Sequence, residues 1–176
     1  MAISVLSTDS LYEGRAVALR ADRIRLENGH ETVVEIVRHA DSVVMVPVDD
    51  QGQVWFVRQY RHSVGRVLLE LPAGTLGSGE DPGTCAAREL REETGMGARD
   101  LFSIGSFYLA PGYATEYMHI YLARGLFPDP RPADEDEAIT VEAVPLEKAR
   151  TWMHGGTLQD AKSIAALAMA IPYLGL

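Results

Sequence analysis

The chain has 176 residues, 47% of them hydrophobic, which is enough for one domain with a substantial core. Lysines and arginines number 16 against 25 aspartates and glutamates, so the net charge is -9. This negative charge, with no basic run, argues against binding to a nucleic-acid backbone. Cys85 is the single cysteine, which excludes an internal disulfide framework, and no apolar stretch reaches the roughly 20 residues of a membrane span. We expect a cytoplasmic protein that binds neither nucleic acid nor membranes.

The first 40 residues alternate apolar and polar side chains, a pattern typical of strands. The alternation occurs at residues 15–19 and 23–26, and Asn28-Gly29 then predicts a tight turn before residues 31–38. These features predict an N-terminal β-meander. We expect residues 1–40 to form an extension, and residues 41–176 to form one compact unit.

The rest of the chain contains mostly strand patterns with a few helical segments. Residues 42–48 and 54–59 are apolar enough to be central strands, and the turn residues between them predict a core hairpin. Other strands are expected at residues 67–71, 102–109, 117–123 and 139–144, and amphipathic segments at residues 146–152 and 161–171. The pattern as a whole predicts an α+β fold.

One helix is predicted with both of its ends. Asp81 suits the N-cap, Pro82 the first helical position and Gly95 the C-terminal stop. We therefore expect the helix to begin directly after a loop rich in glycine and to end at Gly95.

Three carboxylates crowd one side of this helix. Glu92 and Glu93 follow Glu89 by three and four residues, so all three side chains project from the same side. Like charges at this spacing repel, unless the face is solvated, arginines pair with it, or a hard divalent cation binds among the oxygens. Taken alone, the helix segment favours a solvated face, in which arginines neutralise the neighbouring carboxylates.

The segment from Gly74 to Met96 resembles the signature of the Nudix hydrolase family. This signature has nine fixed positions over 23 residues, and a match is therefore far more specific than a three-glycine motif. The chain fills these positions with Gly74, Glu80, Arg88, Glu89, Leu90, Glu92, Glu93, Gly95 and Met96. The resemblance implies the Nudix fold, an α/β/α sandwich with a mixed central sheet. Glu80 and the two glycines at fixed positions favour a metal site over a solvated helix face.

The resemblance also implies a Mg²⁺ site, with Mn²⁺ as the alternative ion, because a diphosphate needs a cation to bind its oxygens and activate water. Glu89 and Glu93 match the principal metal ligands of the family. Glu92 matches a further, catalytic ligand, and the main-chain carbonyl of Ala73 completes the set. The remaining expected roles are orientation of the carboxylates by ion pairing for Arg88, close backbone passage for Gly74, and structural support for Glu80 and Gly95.

Features outside the signature are similar to those of ADP-ribose and nucleoside-diphosphate-sugar pyrophosphatases. They are the Pro-Ala-Gly sequence at residues 72–74, Pro111, and an acidic segment at residues 134–137. On this resemblance Glu135 is the candidate general base and Glu137 an additional metal ligand. Asp134 or Asp136 could serve as the base instead, and a solvated acidic loop is the ordinary alternative.

Substrate binding is expected from Arg58, Tyr60, Arg61 and Tyr113, together with Gly74 and Pro111. Arg61 matches an arginine that contacts a phosphate or ribose in this subgroup. The ordinary alternative is that these arginines and tyrosines end their strands at the surface. The resemblance further implies a homodimer, in which the N-terminal strands of one subunit complete the partner's nucleotide pocket.

Together these features predict Mg²⁺-dependent hydrolysis of ADP-ribose, or of a related ADP-sugar, to AMP and a sugar 5-phosphate. Other nucleoside diphosphate derivatives remain alternatives as substrates: FAD, a dinucleoside polyphosphate or GDP-mannose. A third alternative, from another functional class, is a module that binds a nucleotide sugar without cleaving it.

Overall fold

The structure is a computed structural model that describes residues 3–132 and 138–175. It contains two compact units. The first comprises Met1–Asp41 and Tyr108–Tyr117, and the second comprises Ser42–Phe107 and Met118–Leu176. Within the described parts of the chain, no helix has the length and apolar content needed to cross a membrane.

Strands provide most of the regular structure. The strands are β1 Ser4–Glu13, β2 Ala18–Arg25, β3 Glu31–Arg38, β4 Ser42–Pro47, β5 Gln53–Arg61, β6 Arg66–Glu70, β7 Ala73–Thr75, β8 Met96–Tyr108, β9 Tyr117–Pro128 and β10 Ile139–Pro145. The helices are α1 Pro82–Thr94, α2 Leu146–His154 and α3 Ala161–Ala170, with 3₁₀ turns at His62–Val64 and Ile171–Tyr173.

The first unit contains the predicted β-meander, in which β1, β2 and β3 form one antiparallel sheet. The predicted turn between β2 and β3 is present, and Gly29 takes a positive φ of 82° there, which glycine tolerates best. The prediction was less accurate before this turn. Residues 15–17 connect β1 to β2, and the exposed strand β1 was not recognised because its alternation is weak.

The second unit is built on a mixed four-stranded sheet of order β7-β4-β9-β8, in which β4 runs parallel to β9 and antiparallel to β7. All six residues of β4 are buried, so the strand is apolar on both faces. Val43 and Met45 pack against the helix α1 side, while Val44 and Val46 belong to the larger core on the other face. This arrangement confirms the predicted α+β fold with a mixed central sheet.

The predicted core hairpin between β4 and β5 is wrong. These strands share only the isolated bridge between Val48 and Val54, and β5 lies in a separate sheet of order β10-β5-β6. The amide of Val48 donates to the carbonyl of Ala123 on β9 instead (2.9 Å), so the first strand stays with the central sheet. Asp49 accepts hydrogen bonds from the amide of Gln53 and the indole of Trp55, which fixes the turn that redirects the chain.

Helices α2 and α3 contribute to the larger core, which also contains the buried strand residue Phe56. Trp152 of α2 packs its ring edge-on against Phe56, with the ring centroids 5.7 Å apart. Ala166 and Leu167 of α3 are fully buried in the same core. With α1 on the opposite face of the central sheet, the second unit has the helix–sheet–helix layering of the predicted sandwich.

Candidate active site

Helix α1 begins and ends where the sequence predicts. The Asp81 side chain accepts a hydrogen bond from the amide of Thr84 (3.1 Å), which satisfies one of the helix's unpaired N-terminal donors. Pro82 occupies the first helical position. Gly95 takes a left-handed φ of 71° and donates its amide to Arg91, which closes the C-terminus.

The buried face of α1 fixes the rotation of the helix on the sheet. Cys85, Ala86 and Leu90 pack against Val43 and Met45 of β4. Burial, aided by the neighbouring carboxylates, raises the pKa of the Cys85 thiol to about 12, so this thiol is not activated as a nucleophile. The small apolar residues therefore serve packing, and they direct the glutamates of the helix toward β7.

The segment that enters β7 is held at two points near α1. The carbonyl of Pro72 accepts a hydrogen bond from the amide of Met45 (2.9 Å), which ties it to the central sheet. The amide of Ala73 donates to Oε2 of Glu93 (2.9 Å), and Glu93 is only 6% exposed. This hydrogen bond holds the carboxylate of Glu93 against the main chain at Ala73.

Gly74 has no room for a side chain. A Cβ at this position would lie 1.9 Å from Cδ of Glu89 and 2.0 Å from its Oε1. The carboxylate of Glu89 therefore rests directly on the main chain of β7, at a distance that only glycine allows.

Arg88 and Glu80 form a two-pronged ion pair between α1 and the preceding loop. Nε and Nη2 of Arg88 donate to Oε1 and Oε2 of Glu80, both at 2.9 Å. Oε2 of Glu80 also accepts the amide of Gly77 (2.8 Å). The Arg88 guanidinium, with help from this amide, lowers the pKa of Glu80 to about 2, so the carboxylate stays ionised and braces the loop.

The remaining nitrogen of Arg88 joins two more carboxylates. Nη1 donates to Oε1 of Glu89 (2.7 Å) and to Oε2 of Glu92 (2.9 Å). Hydrogen bonds that Arg88 donates to Glu80, and the charges of the other carboxylates, raise the pKa of Arg88 above its already high value, so the guanidinium remains charged. One arginine therefore organises three glutamates.

The charges of this cluster do not balance. Glu80, Glu89 and Glu92 contribute three carboxylates around the single guanidinium of Arg88, and Glu93 of the same helix accepts the amide of Ala73. Surplus carboxylates that crowd one face are stabilised by a hard divalent cation. Their all-oxygen chemistry fits a hard divalent cation.

The carboxylates are not already gathered as a metal cage. Among residues 3–132 and 138–175, no group of three His, Cys, Asp or Glu side chains converges closely enough to hold a metal ion. The reason is visible in the contacts, since Glu89 and Glu92 point their oxygens at Arg88. Binding a cation here requires these side chains to exchange part of their pairing with Arg88.

The predicted substrate residues of β5 do not form one cluster. Because side chains alternate along a strand, Arg58 and Tyr60 lie on the opposite face of β5 from Arg61. Arg58 pairs with Glu142 of β10 (Nη2–Oε2 2.7 Å), and the ring of Tyr60 is 53% exposed. Arg61 instead pairs with Glu70 of β6 (Nη2–Oε2 2.7 Å).

The other predicted residues lie elsewhere. Pro111 and Tyr113 belong to the first compact unit, within the segment Tyr108–Tyr117, and both are exposed. The amide of Val37 donates to the carbonyl of Tyr113 there (2.8 Å). Glu135 and Glu137 lie outside the described residues.

The sequence did not predict the ion pairs that Glu70 of β6 makes with Arg61 of β5 and with Lys162. Glu70 is 2% exposed, and besides Arg61 it contacts Lys162, the second residue of α3. Burial opposes ionisation of Glu70, but Arg61 and Lys162 outweigh it and lower the pKa of this carboxyl. A charged residue inside an otherwise apolar strand end was the available signal.

Comparison with known proteins identifies the family. The NUDIX domain matches residues 38–167, which is most of the chain. The chain belongs to the Nudix family. The helix α1, the preceding glycine-rich loop and β7 all lie within the matched residues, so the Arg88-centred cluster is part of the Nudix domain.

Individual relatives match nearly the whole chain. The ADP-ribose pyrophosphatase of Bacillus subtilis (strain 168) is 38% identical over 97% of this chain and 91% of its own. The methanol dehydrogenase activator of Bacillus methanolicus is 35% identical over the same shares. A solved structure of an ADP compounds hydrolase superposes with a TM-score of 0.90 at 26% identity, covering 99% of this chain and 95% of that one.

The contact between Gly74 and Glu89 makes a substitution testable. Gly74→Ala should displace the Glu89 side chain and reduce the metal-dependent activity of the Nudix site by more than about tenfold, with little loss of stability because the displaced group is flexible. Steady-state rates at several Mg²⁺ concentrations and the melting temperature measure the two effects. Gly77→Ala is the control, since its Cβ would come no closer than 3.4 Å to Glu80. Wild-type rates for Gly74→Ala would refute the role of this contact.

Proposed function

We propose that this Nudix protein hydrolyses the diphosphate bridge of ADP-ribose, or of a closely related ADP-sugar, to AMP and a sugar 5-phosphate. The observation that carries the proposal is the set of surplus carboxylates around Arg88, beside the main chain at Ala73 and Gly74. The relatives add support for the substrate class, since one is named an ADP-ribose pyrophosphatase and a matching structure an ADP compounds hydrolase.

In this proposal Glu89, Glu93 and Glu92, with the carbonyl of Ala73, would hold Mg²⁺, with Mn²⁺ as the alternative ion. When bound, such a cation neutralises diphosphate oxygens and lowers the pKa of a water molecule that it binds. The support is chemical, because these groups are oxygen donors with an excess of negative charge next to one stretch of main chain.

The chain's own residues then have distinct tasks. Arg88 keeps Glu89 and Glu92 oriented, and Glu80 keeps Arg88 in place through its two-pronged ion pair. Gly95 ends the helix that carries them. Deprotonation of the attacking water is assigned to Glu135 from the sequence, with Asp134 or Asp136 as alternatives, and Glu137 is assigned as an additional metal ligand.

Substrate binding is proposed for the residues that the family resemblance singles out. Arg61 is assigned to a phosphate or ribose oxygen, and its pairing with Glu70 limits the orientations of the guanidinium. The exposed rings of Tyr60 and Tyr113 suit contacts with the base or sugar. Arg58 and Pro111 are assigned to further contacts with the substrate.

The proposal predicts the hydrolysis rate of the variant Glu93→Gln and the order of rates among four substrates. Glu93→Gln keeps the shape of the side chain but removes its charge, so Mg²⁺-dependent hydrolysis of ADP-ribose should fall by more than about 100-fold while the circular dichroism spectrum is unchanged. Glu147→Gln, on the exposed side of α2, is the matched control. Product release is measured for ADP-ribose, FAD, GDP-mannose and a dinucleoside polyphosphate.

Three results would reject parts of this proposal. Full activity of Glu93→Gln would remove Glu93 from the metal-binding set. Faster hydrolysis of FAD, GDP-mannose or the dinucleoside polyphosphate than of ADP-ribose would replace the substrate. Binding of ADP-ribose without any hydrolysis by the wild-type chain would indicate a binding module instead of an enzyme.

A homodimer formed through the N-terminal sheet, in a cytoplasmic enzyme without nucleic-acid or membrane partners, completes the proposal. The support is the exposed apolar side chains of β1, since Val5, Leu11 and Tyr12 are each more than half exposed. Leu11→Glu should convert the dimer to a monomer by light scattering, because a charge cannot be buried there unpaired. Val64→Glu, an equally exposed position of the second unit, should not. A monomeric wild-type chain would contradict the dimer.

A further inference from the structure

Lys162 lies in the first turn of α3 and is only 8% exposed, which is unusual for a lysine. Its Nζ contacts Oε2 of Glu70 and also donates to Oδ2 of Asp160 (2.8 Å), the N-cap of the same helix. The ammonium group is therefore shared by a carboxylate of α3 and a carboxylate at the end of β6.

Glu70 connects this lysine to β5. Nε and Nη2 of Arg61 donate to Oε1 and Oε2 of Glu70 at 2.8 and 2.7 Å, in a two-pronged pair. Glu70 is 2% exposed, so its carboxylate is held in place by the packing around it. Two cations, Arg61 and Lys162, and two carboxylates, Glu70 and Asp160, balance in charge.

A second contact from the same helical turn reaches the next residue of the chain. Oγ of the fully buried Ser163 accepts the amide of Leu71 (2.7 Å), and Asp160 orients Ser163 by accepting its amide (3.0 Å). Two residues later, the amide of Ala73 donates to Glu93 of α1. The four residues from Glu70 to Ala73 thus run from the counter-ion of Arg61 to the glutamate cluster.

From this geometry we infer that Lys162 and Ser163 are positioning residues: they anchor Glu70 and Leu71, and so fix Arg61 and the Ala73 carbonyl relative to one another. The inference rests on the proposed function, in which Arg61 binds the substrate and the carbonyl of Ala73 binds the cation. Neither residue touches substrate. Lys162 acts through Glu70 on Arg61, and Ser163 acts through Leu71 on Ala73.

Because the four charges balance, removing the charge of Lys162 should change the binding of an anionic substrate. Without the ammonium group of Lys162, Arg61 is the one cation left to balance Glu70 and Asp160 within this group of four, and the group's charge changes from neutral to one net negative. An anionic diphosphate then binds less well, whereas the glutamates of α1 that support the chemical step are unchanged. The expected effect is therefore on KM and not on kcat.

The kinetic test compares the two lysines of the chain, Lys162 and Lys148. Lys162→Met should raise the KM for ADP-ribose about tenfold and change kcat by less than about threefold. Lys162→Arg, which retains the charge, should restore most of the affinity. Lys148→Met is the matched control, because Lys148 is exposed on α2 and packs over Trp152. A lower melting temperature with unchanged KM would reduce Lys162 to a stabilising role and overturn the inference.

A second measurement does not depend on turnover. Ser163→Ala removes the acceptor for the amide of Leu71, so hydrogen exchange at Leu71 and Ala73 should accelerate by about tenfold or more in the metal-free protein. Ser103→Ala, on an exposed part of β8, should leave these amides protected. Unchanged exchange in Ser163→Ala would overturn the role of Ser163.

The two measurements separate this inference from the proposed function. A wild-type chain that does not hydrolyse ADP-ribose defeats the proposed function, and the exchange experiment still decides whether α3 anchors the segment. An active wild-type chain whose KM is the same in Lys162→Met, with unchanged exchange in Ser163→Ala, defeats the inference alone.

Discussion

The site depends on one guanidinium, that of Arg88, which holds three carboxylates close together. Arg88 pairs with Glu80 on one edge and with Glu89 and Glu92 through its remaining nitrogen. The carboxylates on this guanidinium outnumber it by three to one. The surplus would be costly in a helix without a function, since like charges at this spacing destabilise it. It becomes useful when a divalent cation and an anionic diphosphate bind together.

The fold supplies the rigidity that such a cluster needs. Strand β4 is buried on both faces, so α1 packs on one side of it and the larger core on the other. The amide of Met45 in this strand holds the carbonyl of Pro72, and the next residue, Ala73, bonds to Glu93. A short chain of contacts therefore links the centre of the sheet to the carboxylates. Helix α3 adds an anchor from the opposite face through Ser163.

The sequence predicted those features of the fold and the site that neighbouring residues determine. Asp81, Pro82 and Gly95 act within one helical turn, so they marked the ends of α1 correctly. The hairpin between β4 and β5 failed because pairing is a long-range choice: Ser42 pairs with Met118 in the central sheet, far along the chain. The three-residue strand β7 is too short to show a period. The contact between Glu70 and Lys162 was missed for the same long-range reason, since the two residues lie 92 positions apart.

The most direct measurement is a crystal structure of the protein with Mg²⁺ and a non-hydrolysable ADP-ribose analogue whose bridging oxygen is replaced by a methylene group. The account predicts metal density about 2.1 Å from oxygens of Glu89 and Glu93 and from the Ala73 carbonyl, with the analogue's diphosphate bound to the same metal. A structure in which the analogue binds elsewhere, while Glu89 and Glu92 keep their pairing with Arg88 and no metal lies beside Ala73, would contradict it.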